Sequence, residues 1–245
     1  ARHIIQYLPT PDFDPEAPAG EPQYKDATVY KIWNIAFGPA TQPGRLYAGT
    51  IPGGLFVSDD GGDSWELNRP LWNHESRGGD LFEGEATSTT HWGGTPASID
   101  YGVFEPGIHS IVIDPRNADH LYVAVSSAGI LETNDGGKTW VGRNKGMRVD
   151  YLPDPEAEWG HDPHFVTACR DQPDHVWQQN HFGVYYSDNG AQSWNKVSLP
   201  DAGVHFGFPI AVDAQDGRTA WVVPARADSE RMALDGGLFV ARTSD

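Results

Sequence analysis

Three segments of the chain carry one octapeptide pattern: SDDGGDSW at Ser58 to Trp65, TNDGGKTW at Thr133 to Trp140, and SDNGAQSW at Ser187 to Trp194. The shared frame is Ser/Thr-x-Asp-x-Gly-x-Ser/Thr-Trp, and so particular a repeat restricts the fold more than any other feature. The third copy is degraded, with Asn189 in the Asp place and Ala191 in the second Gly place. Thr243-Ser244-Asp245 reads as the start of a fourth copy. An acidic or amide side chain flanked by hydroxyls can bond to its own turn backbone, while glycine supplies positive φ. Trp then has a role capping the seam between neighbouring sheets.

Each octapeptide closes a longer unit: an apolar strand, a polar turn, a second strand, a Gly turn, and a third strand entering the octapeptide. The units begin at Trp33, His109, Phe165 and about Phe208, and the octapeptides start 75, 54 and 56 residues apart. Four short antiparallel strands repeated radially make the blades of a β-propeller, with the octapeptide in the hairpin between the third and fourth strands. The expectation is therefore an all-β propeller of four-stranded antiparallel blades, about four of them represented, as part of a six- or seven-bladed ring. The segments read as an outer strand plus linker (1–30), a blade (31–68), an insertion loop (69–105), a blade (106–145), a loop (146–163), a blade (164–198) and an incomplete blade (204–245). A start late in one blade and an end inside another point to a longer natural protein.

Composition agrees, with 28 Gly, 19 Pro and 9 Trp but only 2 Met in 245 residues. The net charge of −17 and a pI near 4.8 argue against nucleic acid as a partner. Cys169 is the single cysteine, so there is neither an internal disulfide nor a thiolate metal site. No apolar run reaches membrane-spanning length, so the chain reads as soluble, with cytoplasmic and exported locations both open.

In a propeller, the segments entering each innermost strand gather at one mouth with the connections between second and third strands. That places Glu105 and His109, Asp162 and His164, and His205 at the mouth, joined by Asn180, His181 and Arg226. Glu105, Asp162 and His109 are the catalytic candidates. His109, His164, His181 and His205 form a possible metal set, since imidazole and carboxylate suit zinc and similar ions, against the plainer reading of polar lining with no cofactor. Trp72, Trp92 and Trp159 lie outside the octapeptides on connecting segments. Exposed indoles there would stack on sugar rings, and buried ones would pin the loops. The substrate-binding candidates are these three with His164, His181, Asn180, His205 and Arg226.

The octapeptides and segments such as PGGLFVSDDGGDSW, EPGIHSI and GILETNDGGKTW resemble the BNR/Asp-box repeat proteins, a group that spans sialidases, xyloglucan-active glycoside hydrolases, receptors and an assembly factor. The resemblance covers roughly residues 30–245 and implies a glycan-directed propeller, with glycoside hydrolysis as the implied activity. The sialidase pattern is incomplete, because no Arg-Ile-Pro signature occurs and Arg45, Arg116, Arg170 and Arg218 fall on turns away from the mouth. Xyloglucan-type enzymes use two carboxylates across a cleft. The same group contains pure binders, so a non-catalytic protein scaffold stays open beside the glycan reading, as does a metal-dependent hydrolase or lyase.

Overall fold

The computed structural model describes residues 29, 31–51, 53–72, 74–77, 107–150, 152 and 154–243. Among these described residues fifteen strands follow the expected order. The first sheet holds β1 (Lys31–Phe37), β2 (Leu46–Ile51), β3 (Leu55–Ser58) and β4 (Glu66–Leu67), and the second holds β5 (Ile108–Ile113), β6 (Leu121–Val125), β7 (Gly129–Thr133) and β8 (Val141–Gly142). The third is β9 (Pro163–Ala168), β10 (Val176–Asn180), β11 (Gly183–Ser187) and β12 (Asn195–Lys196). The fourth has three strands, β13 (Gly207–Val212), β14 (Ala220–Pro224) and β15 (Ala241–Thr243). Every sheet is a meander in chain order, the pattern of a propeller blade. Among the described residues no helix is long and apolar enough to cross a membrane.

The described residues divide into two compact units, the first taking those up to Leu121 together with Thr133–Trp140 and the second Tyr122–Glu132 together with those from Val141 on. In the first, β5 packs against β1 and β2. A side chain at Gly49 would stand 2.4 Å from the Ile108 carbonyl oxygen, so only glycine permits that approach. Val29, Ala48 and Phe56 are buried together beneath Ile32, Trp65 and Leu67. In the second unit, β13 packs against β9 and β10. Trp177, Val184, Ile210, Ala220 and Val222 fill the space between the third and fourth sheets.

The octapeptides form the connections β3–β4, β7–β8 and β11–β12. In the first, the Ser58 hydroxyl donates to Asp60 at 2.7 Å and accepts from the Gly62 amide at 2.9 Å. Asp60 also accepts from the Ser64 amide at 2.9 Å and hydroxyl at 2.6 Å. Thr133, Asp135, Gly137 and Thr139 repeat this pattern. In the degraded copy Asn189 keeps the acceptor role toward Ser187 and Ser193 but donates from Nδ2 to the Ser193 hydroxyl at 2.9 Å, so one bond reverses direction without a charge. Ala191 takes φ +61°, where the other copies have Gly62 and Gly137 at +98° and +89°.

The tryptophans then tie each turn to the one before it. Trp140 Nε1 donates to Asn68 Oδ1 at 3.1 Å, and Trp194 Nε1 donates to the Arg143 carbonyl at 2.7 Å. Asn68 and Arg143 each lie three residues past the preceding octapeptide's Trp. Both indoles are buried, whereas Trp65 is partly exposed and donates within its own turn to Gly62. Seam capping is thus carried by Trp140 and Trp194.

Candidate functional site

The sheet ends opposite the octapeptides are shaped by irregularities in the innermost strands. On β9 the pairing passes from Phe165 opposite Gln179 to Pro163 opposite Asn180, which leaves His164 as the extra residue of a bulge. Trp33 occupies the same place on β1, between Ile32 and Asn34, and a register shift on β13 falls between Gly207 and Ile210. A bulge re-aims the side chain it carries. Here it turns His164 toward the start of its own strand and the end of β10.

Among the described residues, Asp162, His164 and His181 are brought together, with one ligand-type atom from each lying within 4.8 Å of the others. Asp162 immediately precedes β9, and His181 sits in the β10–β11 turn, where its amide donates to the Asp162 carbonyl at 2.9 Å. The Asp162 carboxylate has two distinct sides. Its Oδ1 accepts the Ser127 amide at 3.1 Å, from the β6–β7 turn, where Ser127 holds φ +60°. Its Oδ2 faces His164 Nε2 at 3.5 Å and His181 Nδ1 at 3.4 Å. The far nitrogen of His164, Nδ1, is 2.6 Å from the Gly207 carbonyl and donates its proton there. A side chain at Gly207 would come within 2.7 Å of the Val223 carbonyl oxygen, so the close strand approach that presents this carbonyl needs glycine.

Burial opposes ionisation of Asp162, but the two imidazoles and the Ser127 amide outweigh it and hold the carboxyl well below its ordinary range. The neighbouring Asp162 carboxylate raises His181 above the usual imidazole value against the opposing effect of its partial burial. His164 stacks on Phe208, with ring centres 4.6 Å apart, and meets Phe206 edge-on at 5.3 Å. The Arg231 guanidinium lies over the Phe208 ring, 5.3 Å from its centre, and is paired with Asp228. The result is a largely buried carboxylate–imidazole cluster beside an aromatic wall.

Sequence reasoning placed Asp162, His164 and His181 at one end of the sheets, and the structure joins these three. The other candidates fall elsewhere. His109 is buried in the first unit, edge-on to Trp33 at 5.3 Å, with Nδ1 near the Ser110 hydroxyl. His205 lies outside the trio; its carbonyl accepts from Gln179 Nε2. Asn180 is buried with its amide committed to Gln178 and its oxygen to the Phe182 amide. Arg226 bridges Glu230 and Asp235 instead of facing the cluster.

Trp72 and Trp159 are buried at 4% and 8% exposure, so neither offers the exposed indole face that sugar stacking requires. Trp72 ends the short helix α1 (Arg69–Trp72), which Asn68 caps, and Trp159 packs over Gly142. The pinning role explains both. Glu105 and Trp92 lie outside the described residues. Phe206, Phe208, Arg231 and the Gly207 carbonyl were not legible as site components. The HFGFP run at 205–209 was the available signal, but a backbone carbonyl carries no sequence signature.

No family model matches the chain. It is 25% identical over 199 residues to an oligoxyloglucan-reducing end-specific xyloglucanase of Emericella nidulans, a match covering 80% of this chain and 20% of that protein. Among solved structures it is similar to an ancestral GH74 enzyme, with TM-score 0.56 and 19% identity over 89% of this chain and 25% of that one. It is also similar to PorZ, a surface component of the type-IX secretion system of Porphyromonas gingivalis, with TM-score 0.51 and 16% identity over 89% of this chain and 27% of that one. The chain thus spans about a fifth to a quarter of the length of these proteins, and the shared feature that the sheets and these likenesses establish is an all-β propeller of antiparallel blades.

Proposed function

We propose that the chain is the blade-forming part of a glycan-directed propeller of glycoside-hydrolase type, with the Asp162–His164–His181 cluster at its ligand-binding end. The observation that carries this reading is the 199-residue match to a xyloglucanase. The octapeptide turns support the finer kinship with Asp-box repeat proteins, since their Asp–hydroxyl pattern recurs twice intact. Asp162, held ionised, suits the base, nucleophile or charge-stabilising role in hydrolysis, whereas a general acid needs a raised pKa and must come from another carboxyl group, with Glu105 the candidate in the sequence. With Trp72 and Trp159 buried, the aromatic contact to a glycan passes to Phe208, which is 37% exposed between His164 and Arg231.

The test is affinity electrophoresis of the full chain through gels containing xyloglucan, xylan or mixed-linkage β-glucan, with release of reducing ends assayed in parallel. Retardation by xyloglucan, diminished in Phe208→Ala, is the expected result. Unchanged mobility in every gel with no reducing ends released would overturn the reading. A protein-binding scaffold is the second reading, and the exposed apolar residues Met232, Leu238, Phe239 and Val240 favour it.

A further inference from the structure

We propose that Asp162, His164 and His181 form a binding site for a divalent first-row transition ion of the zinc type. The argument rests on distances, tautomer and support. The two nitrogen–carboxylate separations, 3.5 and 3.4 Å, exceed the ~2.7–3.2 Å of well-formed N–H···O bonds. They match the edge of a ligand tetrahedron, because N and O donors at about 2.0–2.1 Å from a tetrahedral ion stand about 3.3–3.4 Å apart.

The tautomer points the same way. His164 Nδ1 gives its proton to the Gly207 carbonyl, so in the neutral ring Nε2 presents a lone pair toward Asp162 Oδ2. A lone pair facing a carboxylate is repulsive until a cation, either a proton or a metal ion, lies between them, and 3.5 Å is long for a proton shared in a hydrogen bond. Donation from a ligating histidine's far nitrogen to a backbone carbonyl is the usual outer support of a metal-bound imidazole. The carboxylate is supported in parallel: the Ser127 amide holds Oδ1 and leaves Oδ2 turned to the two rings. Ser127 keeps a positive φ to do so, a conformation that non-glycine residues adopt at a cost.

Two imidazoles and one carboxylate suit zinc, cobalt and their neighbours and are poor in the oxygen ligands that calcium and magnesium demand. Three protein ligands leave a fourth position for water or a ligand oxygen, as in catalytic zinc sites. The partial exposure of Asp162 and His181, 21% and 26%, gives that position access to solvent, with Phe208 alongside. This inference stands apart from the glycan reading and is tested without any glycan.

The experiment is titration of the chelator-treated full chain with Zn²⁺ by calorimetry and with Co²⁺ by visible ligand-field absorption, for the parent chain and for Asp162→Asn, His164→Ala and His181→Ala. Circular dichroism of each variant checks the fold, and Asp162→Asn preserves the side-chain shape should an alanine variant unfold. One equivalent of Zn²⁺ is expected, with a tetrahedral Co²⁺ spectrum and affinity lowered at least ~100-fold in every folded variant. Absence of stoichiometric uptake, uptake unchanged in the folded variants, or a preference for Ca²⁺ over Zn²⁺ would each overturn the proposal. If metal binds and xyloglucan does not, the site stands and the glycan reading falls.

Discussion

Asp60, in the β3–β4 turn, finds its side-chain partners at Ser58 and Ser64, no more than four residues away. Asp162, at the other end of a sheet, finds its partners at Ser127, 35 residues upstream, and at two imidazoles held by a bulge and a turn. Both carboxylates are held ionised, the first chiefly by the Ser64 hydroxyl and amide, the second by the imidazoles and the Ser127 amide against the opposing effect of burial. The first kind of site can be copied along a chain as an octapeptide. The second exists only where several segments meet, and it recurs nowhere else among the described residues. A locally closed site supports the fold, whereas an assembled one is left with unspent coordinating capacity on Oδ2 and the ring nitrogens.

That contrast can be broken most severely at the tryptophans. Trp194→Ala removes a buried indole and its bond to the Arg143 carbonyl, and should cost about 3–5 kcal/mol in denaturant unfolding. Trp65→Ala should cost less than half as much, because that ring is partly exposed and bonds within its own turn. Equal losses would mean that the indoles act locally and that seam capping is not their role.

A smaller effect is expected at Gly207, where the two ends of the comparison differ in what supports them. Gly207→Ala drives a methyl against the Val223 carbonyl and displaces the acceptor of His164 Nδ1. Overpacking of this kind costs about 1–3 kcal/mol. It should also weaken Zn²⁺ uptake about tenfold while leaving the octapeptide turns intact, as read by calorimetry beside the thermal melt. Loss of stability with full metal affinity would show that the carbonyl does not orient His164.

Acid separates the regions by a gentler route. Asp60 and Asp135 titrate below their unfolded values, as does Asp114, which is brought to about 2 by Arg116 and His120 against the opposing effect of its burial. A depressed carboxyl contributes stability above its unfolded pKa of ~4 and loses it as pH falls through the folded value. The parent chain should therefore lose stability steadily below about pH 4, and Asp60→Asn with Asp135→Asn should flatten that slope while leaving the part due to Asp114. An unchanged slope would place the acid sensitivity elsewhere.

The smallest change is expected from Asn189→Asp, which restores the charged form of the third turn. Its melting temperature should rise slightly at neutral pH and fall back in acid. A fall at neutral pH would mean that Ala191, at φ +61°, has already reshaped that turn around the amide.

Much of the fold was legible because its information is short-range. The octapeptide, the alternation of strand and turn, and the strand order within each sheet all follow from residues a few positions apart, and the described sheets match them. The site was legible only by element position. Strand-entry and turn placement named Asp162, His164 and His181, but also His109, His205, Asn180 and Arg226, which occupy other environments. Indole exposure was not legible at all, since Trp72 and Trp159 carry the same sequence signal whether they face solvent or pin a loop.

The sequence by itself therefore determined the repeating blade, the position of each octapeptide turn and the residues available at the opposite end. Only the tertiary structure decided which of those residues converge, because convergence depends on a one-residue bulge at His164, a strained turn at Ser127 and a carbonyl freed by Gly207. Local hydrogen bonds are specified by neighbours along the chain, whereas the direction of a side chain in a bulge is specified by what the next strand allows.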